Sequence, residues 1–210
     1  DLRMSRGLGD VYKRQVFVSA ISPFLGIESP LKVTHLLWIN LCMDSLASIM
    51  FAGEPALKKY MRMKPRRRDE SIISKPMAIQ IVIMSLWLTA ISIIWFKVPF
   101  FRAQFATDAQ WYTGFFCMFV FSFMVNAFNV RSDGMNVFEY LSENKRFVHI
   151  WLAIMAVQIV LVSVGGIIGE VFSCQRFGLQ GWLTVCAMAL TMYPVDLIRK
   201  ALTPKIKAVS

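Results

Sequence analysis

Apolar residues gather into long unbroken runs along this chain, and short charged stretches separate them. Five of the runs approach the roughly 20 residues that an α-helix needs to cross a hydrocarbon core: Val33–Ala52, Met77–Phe96, Trp111–Val130, Val148–Ile168 and Trp182–Ile198. An earlier run, Val16–Leu25, is about half a span. The runs are too long for strands and show no sustained alternation. The pattern predicts an all-α membrane protein, with about five full transmembrane helices plus the end of a sixth, packed as a bundle. Trp111, Tyr112, Trp151 and Trp182 lie near run ends, where aromatic side chains anchor at the membrane interface.

The loops orient the spans. Between Ala56 and Pro76 stand Lys58, Lys59, Arg62, Lys64, Arg66, Arg67, Arg68 and Lys75, against Asp69 and Glu70. Positively charged loops stay on the cytoplasmic side. Alternation then puts 97–110 outside, 131–147 inside, 169–181 outside, and the tail with Arg199, Lys200, Lys205 and Lys207 inside. The composition agrees, with 56% hydrophobic residues and a net charge of +10 that is concentrated in one loop. Membrane orientation explains this charge better than a nucleic-acid partner does, so the lipid bilayer is the expected partner.

Residues 1–15, DLRMSRGLGDVYKRQ, are polar and basic and do not fit the apolar pattern of the remaining chain. They read as a non-native, adapter-like leader. The expected organisation is that leader, a transmembrane domain over 16–203 and a cytoplasmic tail over 204–210. Cys42, Cys117, Cys174 and Cys186 make no CxxC pair and read as small buried hydrophobes.

Candidate chemistry centres on Asp44, in the middle of the apolar stretch WINLCMDSLASIMF. An ionised carboxylate at that depth costs about 2.5–3.5 kcal/mol, so it faces protein or a water-filled path. Asn40 lies four residues earlier, about one turn away on the same helical face. Together they offer hard oxygen ligands for a cation, Ca2+ among them. The competing reading is an Asp that hydrogen-bonds a neighbouring helix. Calcium takes six to eight oxygens, so other segments must supply the rest. Asp196, beside Arg199 and Lys200, reads as a local interface pair. Ser122, Asn126, Asn129 and Gln158 read as interhelical hydrogen-bonding groups, and His35 as interfacial.

The string ESPLKVTHLLWINLCMDSLAS resembles the fifth-to-sixth helix region of P-type calcium-transporting ATPases, especially the plasma-membrane type. Four further stretches match in order: GEPALKKYMRMKPRRRDESIISKPM, NAFNVRSDGMNVFE, VQIVLVSVGG with VFSCQRFGLQGW, and YPVDLIRK. The resemblance covers about residues 20 to 201. It implies a C-terminal membrane-domain fragment of an ATP-driven calcium pump, with Asn40 and Asp44 ligating the transported Ca2+ and the later helices acting as scaffold. It also implies a cytoplasmic phosphorylation domain, in the N-terminal half of the same pump, packed against the 56–76 loop. ATP and Mg2+ would act through that half, in a multi-pass protein of the plasma membrane or an equivalent cell membrane.

Pumps with two calcium sites place Thr where Met43 stands and Glu where Phe123 stands. Neither residue here is a hard-oxygen ligand, so the resemblance is to the single-site class. The chain carries no DKTG, TGES or GDGxND motif, so no catalytic residue is assigned and any ATPase activity belongs to the parent protein. The readings from other classes are a stand-alone cation channel or secondary carrier, and a noncatalytic membrane scaffold. A P-type pump for another cation is a closer variant.

Overall fold

A computed structural model of the chain describes residues 31–52, 75–132, 134–138, 141 and 143–202. The leader, the half-span at Val16–Leu25, most of the basic 56–76 loop and the 204–210 tail lie outside these residues. Eight helices are described: α1 Val33–Ala52, α2 Lys75–Lys97, α3 Pro99–Ala103, α4 Asp108–Arg131, α5 Lys145–Val164, α6 Gly166–Phe172, α7 Leu179–Leu190 and α8 Met192–Leu202. Strands do not occur among the described residues. Among the described residues, five spans are long and apolar enough to cross a membrane: α1, most of α2, α4, α5, and α7 with α8.

The apolar runs locate these spans, match α1 at both ends and miss the ends of α4 and α5. α4 extends beyond the apolar run to Asp108, because Thr107 caps it by accepting a hydrogen bond from the Gln110 N–H at 3.2 Å. α5 begins at Lys145, where the Asn144 side chain accepts from the Phe147 N–H at 3.0 Å. Apolar character runs on to Ile168, but the α5 helix does not. Gly165, at φ 65° and ψ −148°, and Gly166, at φ 58°, break it after Val164. The Gly165 conformation is open essentially to glycine alone. The helix of the Val148–Ile168 run therefore ends four residues early, and α6 starts within the last turn of that run.

The last span bends at Thr191. Pro194, three residues on, has no N–H to continue the ladder. Neighbouring spans bond to residues beside this break. The Trp87 indole donates to Thr191 Oγ1 at 3.1 Å, and Asn129 Nδ2 donates to the Met192 carbonyl at 3.1 Å.

Tertiary contacts pair outer ends with outer ends and inner ends with inner ends, as the alternating topology requires. On the outer side, Gln110 Nε2 donates to the Arg176 carbonyl at 2.8 Å, and the Gln175 N–H donates to Thr113 Oγ1 at 3.0 Å. On the inner side, Phe147 packs edge-on against both Phe51 and Phe128. Trp151 Nε1 reaches the Met124 carbonyl at 3.0 Å.

α4 is the central post. It is apolar all round, as a helix must be when other helices surround it. From Thr113 to Met124 every residue of it is buried. Its outer end seats an aromatic cluster of Trp95, Phe101, Phe105, Phe115 and Phe177. Phe105 lies between two glycines, and a Cβ on Gly114 or on Gly181 would meet its ring at 2.6 or 2.7 Å.

Candidate functional site

α1 is continuous but not uniform. Over Trp38–Met43 it widens into a π-helical turn, and the Asp44 N–H bonds back to the Ile39 carbonyl, five residues earlier. Such turns insert one residue into an α-helix and occur often at functional sites. This one carries Asn40 and leads directly into Asp44.

Two faces of α1 differ in chemistry. His35, Ile39, Ala47, Met50 and Phe51 are buried against the other described helices. Asn40 and Ser45 are exposed on the side away from that stripe, and Asp44 is half-buried beside them. Oδ1 of Asp44 is buried and has no hydrogen-bond partner among the described residues. The hydrogen bond at this residue runs from Ser48 Oγ to its backbone carbonyl at 2.7 Å, within the same helix. The Asn40 side chain does not turn toward the bundle. No group of three or more His, Cys, Asp or Glu side chains forms a cluster among the described residues. The two sequence-derived ligands thus share a region of α1, and no other described helix brings an acidic ligand to them. Phe123 is buried in the apolar core.

The outer half of α1 is fastened on its covered face. His35, near the outer end of the span, is only 2% exposed and is covered by protein. Its Nδ1 accepts from the Lys32 N–H at 3.3 Å, so Nε2 carries the proton and donates to the Phe172 carbonyl at 2.6 Å. The ring stacks on Phe116 at 4.1 Å. Cys174 Sγ lies 3.7 Å from the same Nε2. Burial pushes this thiol up to about 12, so it is inert at neutral pH. One turn further in, Trp38 Nε1 donates to Gln158 Oε1 at 3.1 Å. Gln158 is fully buried, and its Nε2 points to Cys117 Sγ at 3.7 Å. Gln158 reads from the sequence as an interhelical group, and only the fold connects it to the Asn40–Asp44 turn. Trp38, two residues before Asn40, was the available signal.

At the inner end, Asp196 forms the expected local ion pair, and protein covers it. It is fully buried, with Oδ1 2.7 Å from Arg199 Nε and Oδ2 3.0 Å from Lys200 Nζ. Lys200 Nζ also reaches the Asn129 carbonyl at 3.1 Å, which ties α8 to α4. The Asn129 side chain, through its Nδ2 on the Met192 carbonyl, is the interhelical group it was expected to be.

Antiparallel apolar spans of membrane length with aromatic interface ends define an integral, multi-pass membrane domain. The model of the family "Cation transporting ATPase, C-terminus" matches residues 28–202, and the chain belongs to that family. It is 35% identical over 184 residues to the plasma membrane calcium-transporting ATPase mca-1 of Caenorhabditis elegans, covering 80% of this chain and 14% of that protein. It is 32% identical over 181 residues to plasma membrane calcium-transporting ATPase 1 of Homo sapiens, and 34% identical over 182 residues to that of Gallus gallus. Each of these two alignments covers 79% of this chain and 15% of the relative. The chain thus spans about 15% of the length of the curated relatives it matches.

Proposed function

We propose that the chain is the C-terminal membrane part of an ATP-driven calcium pump of the plasma membrane, and that Asn40 and Asp44 supply ligands to a single intramembrane calcium site. One observation carries the reading: a π-helical turn delivers a carboxylate whose buried Oδ1 has no hydrogen-bond partner among the described residues. Such an oxygen is rare, because leaving it unsatisfied is costly. A bound cation satisfies it.

The bare face of α1 supports the same reading. Asn40, Asp44, Ser45 and Ser48 make it polar within a membrane span. Acyl chains cannot solvate such a face, whereas further protein segments with oxygen ligands can. Those segments would complete the six to eight oxygens that calcium takes. In this scheme ATP phosphorylates an aspartate in a cytoplasmic domain that packs against the 56–76 loop. The resulting domain motion changes access to the ion, which is the differential interaction that alternating states require.

The test is Asp44→Asn in the full-length pump, read as calcium-dependent phosphorylation by ATP. Loss of calcium activation is expected. An unchanged calcium requirement removes Asp44 from the site.

A further inference from the structure

The π-helical turn requires a physical cause. Nothing in WINLCM excludes an ordinary α-helix, and a π turn is less stable than α in an isolated helix. The cause lies in how α1 is held. Its inner half is buried through Ala47, Met50 and Phe51, with Phe51 against Phe147. Its outer half is pinned separately, by His35 on the Phe172 carbonyl and Trp38 on Gln158. Each α-helical residue turns the chain by about 100°. A purely α register between the two anchored halves would therefore rotate one against the other by about that angle. Either the Trp38–Gln158 and His35–Phe172 contacts or the Ala47–Met50–Phe51 packing would be lost. The extra residue of the π turn lets both halves keep their partners.

Trp38 is the pin adjoining the turn, being its first residue, and its hydrogen bond is made to a fully buried amide. Gln158 is in turn oriented by Cys117 on α4, which directs Nε2 to sulfur and leaves Oε1 for the indole. The Trp38 ring also packs edge-on to Phe172 at 5.8 Å, so the indole cannot swing freely.

We infer that Gln158, acting through Trp38, is a positioning residue for the ion site: it fixes the register of the π-helical turn and hence the direction in which Asn40 and Asp44 project. This inference rests on the calcium-site reading above. α5 thereby does more than fill the bundle, although neither Gln158 nor Trp38 touches the ion.

The experiment compares Trp38→Phe, Gln158→Leu and the double variant in the full-length pump, with Asp44→Asn alongside. The readouts are the calcium concentration for half-maximal phosphorylation by ATP, the maximal phosphoenzyme level, and the melting temperature of the calcium-free protein. Trp38→Phe keeps an aromatic ring and removes the N–H, and Gln158→Leu keeps the volume. Each single variant is expected to raise half-maximal calcium about fivefold, as expected for the loss of one buried hydrogen bond. The double variant should be no worse than either single one, because both remove the same contact. The maximal phosphoenzyme level should hold.

Unchanged calcium dependence in both single variants, with or without a lower melting temperature, overturns the inference. So do additive shifts in the double variant. If Gln158→Leu fails to accumulate, Trp38→Phe decides by the same shift. Should Asp44→Asn abolish calcium activation while the two single variants leave it normal, only the positioning role fails. Should Asp44→Asn leave activation normal, the calcium-site reading fails and this inference falls with it.

Discussion

α4 and α1 are both membrane spans, yet their surroundings differ. In α4, 89% of the residues of its apolar window are buried inside the protein; in α1 the share is 33%. α4 is shaped by its neighbours on every side, down to a glycine that leaves space for the Phe105 ring. α1 is shaped on one face and turns Asn40 and Ser45 away from the bundle on the other. The difference separates a helix enclosed by its neighbours from one that leaves a polar face uncovered. Contacts of α4 determine whether the bundle stands. The bare face of α1 contributes little to that, and its polar residues are explained by a ligand or by further protein.

This division can be tested, beginning with the change of largest effect. Asp196→Ala should destabilise the bundle by about 3–5 kcal/mol, because Arg199 and Lys200 would be left facing a buried void at the α4–α8 contact. Thermal unfolding in detergent measures it, and a drop of under about 1 kcal/mol would show the cluster to be solvated and the post less closed than described. Gly114→Ala should cost about 1–3 kcal/mol, since its new Cβ would overlap the Phe105 ring, itself held by Trp95, Phe177 and Gly181. The companion change Phe105→Leu should recover part of that loss in the same assay, and no recovery would place the clash elsewhere. Asn40→Ala should have the smallest effect on stability, within about 0.5 kcal/mol of the parent, as exposed positions generally do. In the full-length pump it should nevertheless raise the calcium needed for phosphorylation. A stability loss at Asn40 equal to that at Gly114, with calcium dependence unmoved, would erase the distinction between the two helices.

Much of the architecture was legible in the chain itself. Hydropathy located the five spans, and the loop charges set an alternation that the pairing of His35 with Phe172 and of Asn129 with Met192 respects. Both signals are summed over many residues and survive local exceptions. Span ends depended on single side chains, and there the reading slipped. Thr107 and Asn144 lengthened two helices by capping them, and Gly165 cut one short against its own hydrophobicity. Asn40 and Asp44 stood out because polar groups in apolar runs are rare and costly. The burial of His35 is not legible in the chain for a related reason, since distance along the helix says nothing about which neighbour will cover a side chain.

Taken alone, the amino-acid order determined that this protein crosses a membrane, how its spans alternate and which two polar side chains on α1 require an account. These follow from the transfer of residues between water and hydrocarbon, a property each residue carries with it. The tertiary structure alone decided that α1 takes a π-helical turn where those two residues sit, that Gln158 and His35 hold its outer half, and that Asp196 is sealed inside. Those outcomes depend on residues far apart in the chain meeting at hydrogen-bond distance, and no local propensity encodes where such partners will stand.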